Sequence, residues 1–219
     1  MDTQKLLFNF IVNIIPIIAV LYIVMGAIVF KVRGENRTNF FTLLMIAAAI
    51  YSFGYFLELN SIDYKTMIVV RNFEFFGAVF IPSLGILFVA EIVKIKIANW
   101  AKALLLLVSG TLWVTFITNP WHHLIYEKVQ ITQLSGFGFV VTTKGPSFYT
   151  MLFFSSFFII FSSILIFKAY KKSKSLLAQS NRTKSLRFLL ISFQMPWLAI
   201  LFVILGFDKY IDPVPGTLM

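Results

Sequence analysis

The chain has 219 residues, 59% of them hydrophobic, with a net charge of +10 and a mean hydropathy of +0.87. Soluble chains run at about 45–50% apolar, so a single soluble domain is excluded. Most of the basic residues lie in connections between apolar stretches, which argues against nucleic acid as a partner, and the absence of cysteine excludes disulfides, thiolate metal sites and cysteine nucleophiles.

A helix crossing a hydrocarbon core of about 30 Å needs about 20 apolar residues. Taken in chain order, the stretches that qualify are Leu6–Phe30, Phe40–Asn60, Met67–Val93, Trp100–Asn119, Phe148–Phe167 and Leu186–Phe207. Each is a continuous run without period-two alternation, so each is expected to be helical, because lipid cannot satisfy the backbone. The expected fold is an all-α polytopic bundle of six spans in a single domain, 1–219. The first stretch is too long and too weakly charged in front for a cleaved leader. Pro16, Pro82 and Pro196 fall inside spans, where each removes one backbone bond and favours a kink. A gating hinge at any of them is an open alternative to ordinary membrane-helix proline.

Of the 19 Lys and Arg, 13 lie in alternate connections: Lys31, Arg33 and Arg37; Lys94, Lys96 and Lys102; and the group from Lys168 to Arg187. The positive-inside bias then puts these in the cytoplasm and the N-terminus outside, in a multi-pass protein of the cell membrane. The basic inner segment 168–187 is expected to rest against anionic headgroups. Six spans leave the C-terminus outside, in a short turn-rich tail ending on apolar residues. This reads as a chain shortened before a seventh span.

The outer connection 120–147 is long. Its run Tyr126-Glu-Lys-Val-Gln-Ile-Thr-Gln133, the Gly-bearing turn segment Ser135-Gly-Phe-Gly138 and the run Phe139-Val-Val-Thr-Thr143 predict a small hairpin. Just before it, Trp121 and Tyr126 suit an interfacial aromatic belt.

Unusual polar groups gather toward this outer side. Arg71 and Glu74 are three apart on the third span and share a helix face. At about 1.5 Å per residue, Glu74 lies roughly 10 Å below the span edge, where an unpaired carboxylate costs about 2–3 kcal/mol. The two residues form either an intrahelical ion pair or the floor of an outer ligand cavity. Glu58, at the outer end of the second span, either joins them or marks the interface. His122 and His123 are adjacent, so they point apart and make a poor joint metal site. Without Cys or a HExxH frame, zinc is not expected. One of them is placed either to cap the loop or to bond Glu74, Asp208 or Asp212 and sense protons. Gln194 and Trp197 face inward if the sixth span borders a polar cavity. The candidate ligand-binding set is therefore Glu58, Arg71, Glu74, Asn119, His122, His123, Gln194 and Trp197, with no catalytic residue and no cofactor.

Four short motifs stand in a particular order: Tyr51-Ser-Phe-Gly-Tyr-Phe-Leu-Glu58, Arg71-Asn-Phe-Glu-Phe-Phe-Gly77 leading to Pro82, Thr118-Asn-Pro-Trp-His-His-Leu-Ile125, and Gly145-Pro-Ser-Phe148. In order and spacing the chain resembles, over most of residues 5–215, the N-terminal seven-transmembrane sensor region of bacterial histidine kinases, also found ahead of diguanylate cyclase domains. The resemblance implies a non-enzymatic receptor module of signal transduction that relays an outer-side ligand or condition to a cytoplasmic output domain absent here, a kinase or cyclase. It names no ligand. The expected partners are membrane lipids, the outer ligand, that output domain and a second copy of the chain in a homodimer. The alternative is a small transporter or half-transporter, which would need polar groups at the midplane and a repeat with broken helices. An intramembrane enzyme lacks a nucleophile or metal frame.

Overall fold

The computed structural model describes residues 3–33, 40–134, 137–174 and 180–192. In chain order these form α1 (Thr3–Arg33), α2 (Phe40–Leu59), α3 (Tyr64–Val93), α4 (Asn99–Ile117), the single turn α5 (Asn119–His122), strands β1 (Tyr126–Leu134) and β2 (Phe137–Lys144), α6 (Pro146–Lys174) and α7 (Ser180–Ser192). Five of the helices, α1, α2, α3, α4 and α6, are long and apolar enough to cross a membrane. The protein is thus an all-α membrane-type bundle with one small two-stranded sheet. Of the sixth expected stretch, Leu186–Phe207, residues 193–207 lie outside the described residues.

α3 is the axis. It packs against α2, α4 and α6, while α1 packs on the far side of α2 and α7 on α6. Of its apolar window 56% is buried, against 11% to 22% for the other four spans. Every residue from Ser83 to Ala90 is buried. Large apolar side chains such as Phe10, Leu107 and Phe153 are exposed, as befits faces turned to lipid. α1 runs unbroken through Pro16 and α3 through Pro82.

Because lipid is as apolar as leucine, spans associate through close packing and hydrogen bonds rather than through the hydrophobic effect. The α2–α3 contact uses both glycines. A methyl group at Gly54 would stand 2.6 Å from the Cα of Glu74, and one at Gly77 would overlap the carbonyl oxygen of Ala47. The helices therefore touch backbone to backbone, antiparallel, with Gly54 opposite Glu74 and Ala47–Tyr51 opposite Gly77. On the other side of α3 the Ser83 hydroxyl donates to the Leu105 carbonyl at 3.1 Å and meets the Ser109 hydroxyl at 2.7 Å. The Trp113 indole N–H donates to the Asn72 carbonyl at 3.1 Å. Thr42 ties α2 to α1 through the Gly26 carbonyl at 3.1 Å. α6 runs parallel to α3, with Phe148 and Met151 near Phe75 and Ile166 near Val89.

Local signals set the helix ends. Asp63 caps α3, its carboxylate accepting from the Thr66 N–H at 2.9 Å; the Thr66 side chain and N–H together hold that carboxyl below its ordinary value. Lys94, in the left-handed region at φ 61°, ends α3. The bundle consequently has two unlike ends. The hairpin, Asp63 and the start of α6 share one; Lys31, Lys94 and Lys168 to Lys172 share the other.

Substituting Gly54→Ala forces α2 from α3 and should destabilise the purified protein by about 1–3 kcal/mol. At Gly110 an added methyl meets nothing within 4 Å, so Gly110→Ala should be neutral or stabilising by up to about 1 kcal/mol. Thermal unfolding in detergent checks both; equal effects at the two sites would contradict the close approach.

Candidate functional site: a buried arginine beneath the hairpin

The register that places Gly54 against Glu74 also brings Glu58, one turn further along α2, to Arg71, one turn earlier on α3. The Arg71 Nη1 lies 3.7 Å from the Glu58 Oε1, with only 12% and 11% of the two side chains exposed. The ion pair thus joins two helices, where the i, i+3 spacing alone pointed to Glu74. Glu74 is buried beside the same pair, 5% exposed. Its Oε2, together with the Nε and Nη1 of Arg71, has no hydrogen-bond partner among the described residues.

An aromatic cage closes over the guanidinium. Its Cζ stands 4.8 Å from the Tyr126 ring centre and 5.9 Å from that of Phe75, within the range of cation–π attraction. Phe75 stacks on Phe116 at 3.8 Å, and Tyr126 meets Phe116 edge-on at 5.8 Å. Burial pushes the Tyr126 hydroxyl above its ordinary range, with the charge of Arg71 beside it working the other way. Tyr126 opens β1, so its ring anchors the base of the hairpin on the bundle.

Asn119 holds that anchor in place. Its Oδ1 accepts the N–H groups of Ile125 at 2.8 Å and Tyr126 at 3.1 Å, and its Nδ2 donates to the Tyr126 carbonyl at 3.1 Å. At the other strand the Gly145 N–H donates to Ile125 at 2.7 Å, and a side chain at Gly145 would overlap the Leu124 carbonyl. The strands pair antiparallel from Tyr126 opposite Lys144 to Leu134 opposite Phe137, with a bulge at Glu127.

The histidines divide. His122 Nε2 lies 3.1 Å from the Thr118 hydroxyl, which itself donates to Val114 at 2.7 Å; its Nδ1 accepts the Leu124 N–H at 3.0 Å. This pattern fits the Nε2–H tautomer and makes His122 a loop cap, with both nitrogens used locally. His123 takes the left-handed conformation at φ 54° that ends α5, which His tolerates better than most residues.

A cavity of about 310 Å³ opens beside this cage, the lower end of the range for small-molecule sites. Arg71, Asn72, Asn119, His123, Tyr126 and Glu127 contribute to its wall. Three of the candidate residues, Arg71, Asn119 and His123, therefore meet there. Glu58 and Glu74 stand on the α2 side of Arg71, off that wall, and His122 is also off it. Gln194 and Trp197 lie outside the described residues, as do Asp208 and Asp212. Tyr126, expected in the interfacial belt, is buried in the cage, and Glu127, expected only as part of the hairpin run, lines the cavity. Their signal was position, at the first residues of a strand entering directly from the Asn119 loop. Among the described residues no group of three or more His, Asp or Glu is placed to hold a metal.

Replacing Asn119 by Ala leaves two buried N–H groups and one carbonyl without their partner, at about 1–3 kcal/mol for such groups. Amide exchange at Ile125 and Tyr126 should accelerate strongly while that of residues 83–90 is unchanged; unaltered protection at 125–126 would contradict the role given to Asn119.

No curated protein and no solved structure matches the sequence. Residues 14–219 match the family described as the N-terminal 7TM region of histidine kinase, a region that sits in the membrane as the sensor part of those proteins, and this chain belongs to that family.

Proposed function

We propose that the chain is the receiving part of a membrane sensor. A ligand or condition on the outer side acts at the hairpin end of the bundle and is relayed to a kinase or cyclase output domain in the cytoplasm. The observation that carries this reading is the double engagement of Arg71. It contributes to the cavity wall and is also the partner of Glu58 across the α2–α3 contact. Whatever occupies the cavity and touches Arg71 competes with Glu58, so it has unequal affinity for two arrangements of α2 against α3, as a population shift requires. α3 then continues unbroken to the basic end, where an output domain would be read.

The positive-inside bias supports an outer hairpin and an outer N-terminus. The chain itself acts as a receptor and not as a catalyst; phosphoryl or cyclase chemistry belongs to the output domain. A homodimer would suit a relay between paired output domains, with lipid covering the remaining exposed faces. Polar groups at one end and an unbroken α3 favour a receptor over a transporter, which uses broken helices at the midplane.

The cysteine-free sequence allows single-cysteine labelling. Trp121→Cys, at a residue 84% exposed, should react with an impermeant maleimide in intact cells, and Lys96→Cys only after permeabilisation. Adding Glu58→Gln should change the Lys96→Cys labelling rate by about two-fold or more if the cluster is coupled to the basic end. Reversed accessibility contradicts the orientation; an unchanged rate contradicts the relay.

A further inference from the structure

We propose that the cavity beside Arg71 binds a small organic monocarboxylate with an apolar body, the carboxylate being received by Arg71; this rests on the sensor reading above. The Glu58 oxygen, at 3.7 Å, balances the charge of the guanidinium but is beyond hydrogen-bond reach. Nε and Nη1 are buried and unbonded among the described residues. Both atoms are closed off in this arrangement, Nη1 on the Glu58 side, so a carboxylate in the cavity reaches them only by drawing the guanidinium away from Glu58, and it then supplies the acceptors that Glu58 does not.

The other polar groups of the wall agree. Asn119 spends its oxygen on the N–H groups of Ile125 and Tyr126 and one amide hydrogen on the Tyr126 carbonyl. What it has left is a donor. Phe116, Tyr126, Tyr64 and Ile68 supply apolar surface, and the volume limits the guest to a small metabolite. Glu127, on the same wall, sets a further limit. A second carboxylate on the guest would meet a like charge there, so dicarboxylates are disfavoured by repulsion.

The test uses the full chain in detergent, with phenylacetate, its neutral isostere phenylacetamide, and succinate as probes, followed by thermal shift and calorimetry. Phenylacetate should bind saturably to the wild type, phenylacetamide at least about ten-fold more weakly, and succinate not measurably. Arg71→Met should lose phenylacetate binding, and Glu127→Gln should retain it and gain a response to succinate. The amide comparison is made on the wild type, so it stands even if Arg71→Met does not fold. No saturable binding of phenylacetate or of butyrate overturns the proposal, as does unchanged binding to a folded Arg71→Met. If the amide binds as well as the acid, and Phe116→Trp abolishes both, the carboxylate class is wrong while the sensor cavity stands. Cytoplasmic labelling of Trp121→Cys would instead remove the sensor reading itself.

Discussion

A guanidinium buried in a membrane bundle must have an anion beside it, and much of this architecture follows from how Arg71 obtains one. A charge at such a position is expensive without a partner. The partner, Glu58, sits on a different helix, and its reach depends on α2 and α3 touching at Gly54 and Gly77. A bulkier residue at either glycine would push the carboxylate away from its cation. Electrostatics and steric packing at this contact are therefore one constraint. Arg71 cannot be held where it is unless the helices meet backbone to backbone.

The same cation organises what lies above it. Tyr126 covers the guanidinium with its ring, and Asn119 fixes the backbone of Tyr126 from both sides. A loop that would otherwise need only to connect α4 to α6 becomes a cover, and the cavity is the space left beside the cage. At the far end, α3 passes through its most buried stretch, 83–90, packed against α6 and α7. One continuous helix links the cage to the basic termini. Under the proposed sensor reading, a displacement of α2 at Glu58 has a rigid element to act on.

Much of this could be read in the amino acids, for physical reasons that differ by element. Continuous apolar runs allow only helices in lipid, so α1 to α4 and α6 were legible from length alone. The hairpin was legible from β-prone runs flanking Ser135-Gly-Phe-Gly138, of which the last two residues belong to β2. Glu74 stood out because a carboxylate is costly at its depth, Arg71 because it shares that helix face, and Glu58 only as an acid at the outer end of its span. The partner of Arg71 was less legible. Spacing of three favours Glu74, and only the glycine register between helices, a tertiary property, selects Glu58. His122 read as a possible ligand and serves as a cap, because Thr118 one turn back and the Leu124 N–H two residues on claim its ring nitrogens. Glu127 carries no signal of its own; its place on the cavity wall comes from a bulge at the base of β1.

The claim on which the rest depends is that Arg71 and Glu58 act as a unit, and a double-mutant cycle measures this directly. Unfolding free energies in detergent for wild type, Glu58→Gln, Arg71→Met and the double variant give their coupling. The double variant should be less destabilised than the sum of the singles by about 1 kcal/mol or more, because each single leaves a buried charge without its counterpart. Additivity within about 0.5 kcal/mol would mean that the two residues do not hold each other, and the account would be contradicted at its base.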